Sequence, residues 1–422
     1  DLEKTCESIA KISEKDANAY REFGKSASEY VDILSWGMFA PPANPDTFLE
    51  VLNQSEQGQF MLELMNRSAW DLIDSTFDDE RVKTHLYRKT AEMMILPEKA
   101  GTAFAMFMIV GFSHRFTSGT VVGGSQGFTD ALASCIEYHG GDIFTGKKIT
   151  RLEKHDGSIR GVKTEDGETF TANKAVVAAI PPWSLNKFVE GVDPKVIEEA
   201  EQTPSSDFGI FLSSYALKKN MTLDYPQDKG YIQINQFCGG LVNDIRPAFK
   251  KVLDGGLPSG DDYFFGNGIC ATILEPCRAP NGQGTLYLYH MVPLKPDGDF
   301  DSWDELKAPF AKWLRDNASR FISNLTDENI LGEHHETPKD MAAYSPSFRY
   351  GDVMGAGTYA DQFLGGRPNK TFSDFKVPGI DNLYLVGPFM HPGGGVGGGG
   401  RAVAIKVMFD LGLDLDSAFT YY

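Results

Sequence analysis

Basic clusters, long apolar runs and paired cysteines are all missing from this sequence. Forty Lys and Arg residues stand against 58 Asp and Glu, a formal charge of −18, and the basic residues are scattered. Without a basic face, nucleic acid and anionic lipid have nothing to hold them. No nucleic-acid partner is expected, and nothing positive recommends peripheral contact with a membrane. The longest apolar stretch, GTAFAMFMIVGF from Gly101 to Phe112, is little more than half of the roughly 20 residues that cross a bilayer. It reads as a buried helix or a pocket wall.

The five cysteines (Cys6, Cys135, Cys238, Cys270, Cys277) are odd in number and lack CxxC spacing. That excludes a disulfide framework and a zinc site, and it fits a cytoplasmic compartment. His334 and His335 are adjacent, so on a strand they face opposite sides and cannot chelate together. No metal is expected. The opening DLEKTCESIAKISEKDANAY has neither the basic nor the apolar region of a secretory leader. A chain that opens this way is expected to be a fragment, a processed product or one piece of something larger.

What is present is enough chain, 422 residues, for two or three domains. Residues 1 to about 115 read as helical. Ser13 and Asp16 suggest a capping box, and Ala17, Tyr20, Phe23, Ala27, Tyr30 and Leu34 follow at helical spacing. More helix follows the APPANP break, and Met93, Met94, Phe104, Met106, Phe107 and Met108 read as core. Beyond Ser118 the texture changes. A Gly-rich turn leads into a helix, Phe128 to His139, and then into short strands: Asp142 to Thr145, Ile149 to His155, Gly161 to Thr164 and Ala175 to Ile180. The HDG and EDG turns mark hairpins, and AVVAAI is apolar on both faces, like a central parallel strand. From Pro181 to about Ser345 the segments FGIFLSSYAL, GYIQINQF, DYFFGNGICATIL and GTLYLYHMVPL suit a mostly antiparallel sheet. A helix opened by a Ser302–Glu305 capping box is expected to run to about Asn324. An α/β region is thus interrupted by a sheet-rich domain and then resumed, an arrangement that places a ligand cleft between the two.

The densest motif is HPGGGVGGGGRAVA, His391 to Ala404, between a strand (Asn382 to Val386) and a helix (Arg401 to Leu411). Its GxGxxG matches are weak, because so many glycines would satisfy almost any such pattern. The strand, loop and helix order is more telling: it lets a ligand approach backbone N–H groups and a positive helix end. A dinucleotide-binding βαβ would need a further strand ending in an acidic residue about twenty positions on. The run is expected instead at the other end of such a ligand.

The stretch NLYLVGPFMHPGGGVGGGGRAVA (382–404) resembles the C-terminal flavin segment of the phytoene-dehydrogenase-like branch of the FAD-dependent amine oxidase/desaturase superfamily. Residues 123–182 resemble its middle FAD segment and residues 361–387 its lead-in. The resemblance covers the chain from about Ser118 onward and the helices before it more loosely. It implies an α/β fold: a glutathione-reductase-like (Rossmann-type) FAD domain, incomplete in this chain, with an inserted mostly antiparallel α+β substrate domain and a helical region. The boundaries implied are a helical substrate or lid region over 1–115, FAD-binding segments over 116–183 and 351–422, and the substrate domain over 184–350.

The same resemblance sets adenine against Lys148 and Ile149, and the ADP half beside Ala179, Ile180 and Pro181. Pyrophosphate and ribityl chain fall at Gly387 and Pro388, and the isoalloxazine end at Gly394, Gly395, Val396 and Gly397. His391 is the candidate acid/base, and Arg349, Tyr350, Phe389 and Met390 are candidates for the substrate pocket. The family opens with a strand–GxGxxG–helix–strand–Glu unit that has no counterpart in residues 1–115; it is expected upstream in the gene product, on a nicked-off peptide or on a partner subunit, with a second polypeptide that docks here the favoured partner. The activity implied is desaturation of an apolar substrate by hydride transfer to flavin N5. Amine oxidation, redox-neutral polyene isomerisation and a non-catalytic subunit that has lost FAD are the alternatives.

Overall fold

The computed structural model describes residues 1–116, 119–223, 234–236, 245–260, 265–280, 282–363, 365–395 and 397–415. Eight helices build the first layer: α1 (Leu2–Ala10), α2 (Glu14–Glu29), α3 (Val31–Phe39), α4 (Pro45–Leu52), α5 (Glu56–Asn66), α6 (Ala69–Thr76), α7 (Glu80–Thr90) and α8 (Thr102–Arg115). The apolar run is α8, and a helix apolar all round must be surrounded. It is: α2, α3, α5, α6 and α7 pack against it. Gly111 lets α2 cross closely, since a Cβ there would lie 2.6 Å from the Ala27 carbonyl oxygen. Ser13 caps α2 by accepting from Asp16 N at 3.1 Å. The box is only half made, because the Asp16 carboxylate turns away to accept from Asp78 N and Asp79 N at 2.9 and 2.8 Å.

Next come α9 (Ser125–Tyr138), β1 (Ile149–His155), β2 (Ser158–Thr164), β3 (Thr169–Thr171), β4 (Val176–Ala178) and α10 (Pro194–Glu201). The HDG turn is a tight hairpin with Asp156 and Gly157 both at positive φ (48° and 85°). The chain continues through β5 (Gly209–Leu217), β6 (Ile234–Gln236), α11 (Arg246–Leu253), β7 (Asn267–Ile269), β8 (Gly284–Val292), α12 (Trp303–Ala318), β9 (Ile330–Glu336) and α13 (Pro338–Tyr344). Five strands form one antiparallel sheet in the order β6-β7-β8-β5-β9, as expected. Phe211 and Tyr215 of β5 share a core with Trp303, Phe310 and Leu314 of α12. The last elements are β10 (Lys376–Val377), β11 (Ile380–Leu385) and α14 (Gly398–Asp410). Strand β11 returns to the first sheet, parallel to β4 through Leu383–Val176, Tyr384–Val177 and Leu385–Ala178. Its start touches β2, also in parallel, at Asp381–Ser158.

Several expectations change. Residues 142–145 join no ladder, and Ile143 and Phe144 are 45% and 61% exposed. Among the described residues β4 is paired in register with β11 alone, and α9 buries no residue at all. A strand needs a neighbour and a parallel sheet needs cover; here neither is supplied on that side. Ser302 makes no cap bond because its backbone is already helical (φ −54°, ψ −22°), and α12 ends at Ala318 instead of about Asn324. Of GYIQINQF only β6 is described, and among the described residues of DYFFGNGICATIL only β7 is strand before a turn at Ala271–Ile273. Helix α14 starts three residues early, inside the glycine run.

Candidate flavin site

The site is built where parallel strands end. Val386 N donates to Ala178 O at 3.0 Å, so Ala179–Pro181 and Val386–Pro388 leave the same edge of the sheet, the ligand edge of an open α/β sheet. Pro181 is buried, Ile180 half-buried and Ala179 exposed. Gly387 is obligatory, because at φ 150° a Cβ would lie 2.6 Å from the Phe389 ring. That ring is wholly buried, 5.7 Å from Trp183, and Met390 is 1% exposed in the same core. Phe389 and Met390 therefore hold the turn from beneath and do not line a substrate pocket, contrary to expectation.

Past His391 the glycines divide into two kinds. Gly393, Gly394 and Gly398 press on protein: a Cβ would come within 3.4 Å of Arg367, 3.3 Å of Met354 and 2.8 Å of Phe39 respectively. At Gly395, Gly397 and Gly400 it would meet nothing within 4 Å. The first two need glycine for their φ of 121° and 92°; nothing in the protein requires it at Gly400. Helix α14 begins behind Gly397 with no side chain capping it, so its first N–H groups face outward without a side-chain acceptor. An open glycine cradle and an uncapped helix start fit a planar ring with an electron-rich edge. Val396 lies outside the described residues.

Two hollows meet at this cradle. One, about 240 Å³, lies between Phe39, Phe112 and Gly393–Gly395. The other, about 270 Å³, is walled by Phe48, Met61, Phe104, Met108 and Met354 and is closed at one end by His391, Pro392 and Gly394. The helical layer supplies most of this wall and the antiparallel sheet none of it among the described residues. The pocket is thus not between the interrupted halves and the inserted sheet, where it was expected. The Met/Phe block is core and cavity wall together: Met93, Phe104 and Met108 face the hollow, while Met94, Met106 and Phe107 are core.

His391 is 4% exposed, with Nε2 3.2 Å from Gly37 O. Burial pushes its pKa below the usual imidazole value; the Gly37 and Ala40 carbonyls oppose this and the Arg367 charge adds to it. The ring is neutral near pH 7. Arg349 and Tyr350 are structural, not pocket residues. Arg349 donates to Glu201 O and Thr203 O with its guanidinium 4.5 Å from the Trp183 ring centroid, and Tyr350 packs under Lys295, 3.7 Å from its ring centroid. Lys148 is exposed and paired with Glu165 at 2.7 Å, and Ile149 is half-buried at the start of β1. Among the described residues no hydrogen bond or ion pair joins these two to the glycine run.

Sequence reading missed two residues. Asp352 is 1% exposed and accepts from Ser206 N, Ser206 Oγ and Met354 N at 2.7, 2.9 and 3.0 Å. Arg367, 1% exposed, grips four backbone carbonyls around the cradle. The only signal for either was a charged residue in an otherwise small, apolar loop. No group of three possible metal ligands occurs among the described residues; His335 bonds Ser213 and His334 faces solvent. Nor is any described helix long and apolar enough to cross a membrane.

Comparison with known proteins points to the same cofactor class. Residues 48–211 match the family of flavin containing amine oxidoreductases. One of the limonene dehydrogenase subunits of Castellaniella defragrans is 22% identical across 98% of this chain and 78% of its own length. A zeta-carotene-forming phytoene desaturase of Myxococcus xanthus is 24% identical across 78% of this chain. This chain is related to the phytoene-desaturase-like branch of the flavin amine oxidase superfamily. In the rat, the pyridine nucleotide-disulfide oxidoreductase domain-containing protein 2 is 26% identical across 83% of this chain, which spans only 62% of that relative's length. A redesigned putrescine oxidase is similar in fold over 93% of this chain and 75% of its own, with a TM-score of 0.51 at 12% identity.

Proposed function

We propose that this chain forms the substrate cavity and the flavin-ring end of an FAD-dependent oxidoreductase that desaturates an apolar substrate, and that a separate polypeptide supplies the unit holding the ADP half. The observation that carries the reading is the methionine- and phenylalanine-walled hollow that ends on an open glycine cradle. Bound FAD would supply the two-electron acceptor for hydrogen leaving a substrate C–H bond. Gly395, Gly397 and the start of α14 would hold the ring's electron-rich edge through backbone N–H groups. The apolar wall excludes water and holds a hydrocarbon by shape, which is most of what such chemistry asks of a protein. His391 is the one titratable side chain on that wall among the described residues. Neutral, it can receive the proton that accompanies hydride loss. Among the described residues the wall presents no carboxylate, which favours a hydrocarbon over an amine. A limonene dehydrogenase and phytoene desaturases among the relatives support the same class.

Support for the partner comes from the uncovered side. Phe128, Leu132 and Ile136 recur at helical spacing along α9 and are 39%, 49% and 47% exposed, and Val177 of β4 is 49% exposed. A strand–glycine turn–helix–strand unit would pair with β4 and cover these side chains. The test is native isolation followed by anaerobic titration with terpene and polyene hydrocarbons and with primary amines. Bound flavin bleached by a hydrocarbon, in a complex with a second polypeptide, is the expected result. A colourless protein that cannot be reconstituted overturns the flavin assignment; a single yellow polypeptide overturns the partner.

A further inference from the structure

Arg367 lies in the loop between α13 and β10, wholly inside the protein. Each hydrogen bond it makes ends on a backbone carbonyl. Nε donates to Pro388 O at 2.9 Å and Nη1 to Gly357 O at 3.0 Å. Nη2 donates to Pro388 O, Met354 O and Ala356 O at 2.6, 2.8 and 3.1 Å. Among the described residues no carboxylate is in contact with it. Asp352 acts on it only as a more distant charge, and its oxygens are engaged by Ser206 and Met354. Burial lowers the guanidinium pKa to about 10, so the charge persists at neutral pH. A cation held by dipoles alone keeps its field, and in a dry interior that field reaches several ångströms.

The position of this charge is what gives it meaning. On its far side is Gly393, where a Cβ would lie 3.4 Å from both Cζ and Nε, so the guanidinium presses on the back of the glycine turn. The front of the same turn lines the hollow shared by Phe39, Phe112 and Gly394. We propose that Arg367 is a fixed positive charge behind the cradle that stabilises negative charge on a ring bound at its front, and so raises the electron affinity of the flavin. This rests on the flavin assignment above and deepens it. Two-electron reduction places negative charge on the pyrimidine edge of the ring, and the positive end of α14 reinforces Arg367 there. The residue does not touch the reacting atoms; it acts through the turn, as a positioning residue.

The test uses the holoprotein as isolated, with sulfite and no substrate. Sulfite adds to the oxidised ring and leaves negative charge where reduction would. Arg367→Gln should lower sulfite affinity at least about tenfold, with a midpoint potential lower by about 30 mV for each tenfold in a two-electron couple. Arg367→Lys, which keeps the charge but loses donors, should hold sulfite affinity within about threefold of the parent while costing stability. If Gln and Lys both lose stability and the flavin they retain binds sulfite as the parent does, the arginine is only a clamp and the proposal is overturned. Should Arg367→Gln fail to fold, Asp352→Asn removes the opposing charge and should raise sulfite affinity; no change there overturns the proposal equally. A native protein without flavin defeats the underlying assignment before any variant is made.

Discussion

Gly37 and His391 meet across the cavity wall, and both lend themselves to direct test. A Cβ on Gly37 would enter open space inside a helix. Gly37→Leu should therefore keep or raise stability, by up to about 1 kcal/mol from helix propensity, while weakening apolar ligands at least tenfold by filling their space. Thermal melts and displacement of a fluorescent hydrocarbon probe read the two effects separately; unchanged probe binding would place the substrate elsewhere. His391 has a pKa depressed by burial, so the unfolded chain takes up its proton first as pH falls. The contribution is intact above about pH 6.5 and is lost progressively below it. His391→Asn should flatten that acid limb of the stability curve, measured by urea unfolding from pH 7 to pH 5. At this level the sequence was legible where a residue type had a single use, as for the glycines. It was silent where burial assigns the role: Phe389 and Met390 looked like pocket residues only because they adjoin the run, and Arg367 became central through carbonyls that no spacing reveals.

Among the elements, α9 and α14 make opposite cases. Helix α14 is pinned at its far end by Asp410, which accepts from Lys376, Lys406 and Tyr384 at 2.8, 2.7 and 2.9 Å. Burial alone would raise the Asp410 pKa, but these three bonds override it and hold it at about 2. Its contribution is therefore present above about pH 4 and disappears as pH falls toward 2, and Asp410→Asn should cost roughly 2 kcal/mol at neutral pH. Nothing pins α9. Leu132→Glu should leave the melting of the isolated chain unchanged to within about 0.5 kcal/mol, yet detach the proposed second polypeptide and its FAD in native mass spectra. A large loss of stability in the isolated chain would mean that α9 is already covered. The amphipathic pattern made α9 legible as a helix, since that depends on its own residues. Residues 142–145 were misread as a strand because strand formation depends on a neighbour.

The described residues form three cores. The helical layer shares its core with Phe208, Phe249, Phe265 and Met291 of the antiparallel region, so these should unfold together. A separate core joins residues 152–200 to residues 372–407, two stretches far apart in sequence. Calorimetry should show two transitions, with FAD and the proposed second polypeptide raising the one that belongs to the discontinuous core; a single transition shifted as a unit would contradict that division. This discontinuity was legible in the return of a buried-strand pattern at Asn382. Of the cavity only the pocket-wall alternative for Gly101–Phe112 was legible, because four helices had to converge before the rest of the wall existed. Five methionines (Met38, Met61, Met93, Met108, Met354) face that hollow. Thioethers on unbranched stems reshape around a guest more readily than they reject one, so the pocket should tolerate hydrocarbons of several outlines. Thioethers are also readily oxidised. If oxygen takes electrons from the reduced enzyme, the peroxide formed arises beside them, and sulfoxide on these five side chains would record how many turnovers each molecule has completed.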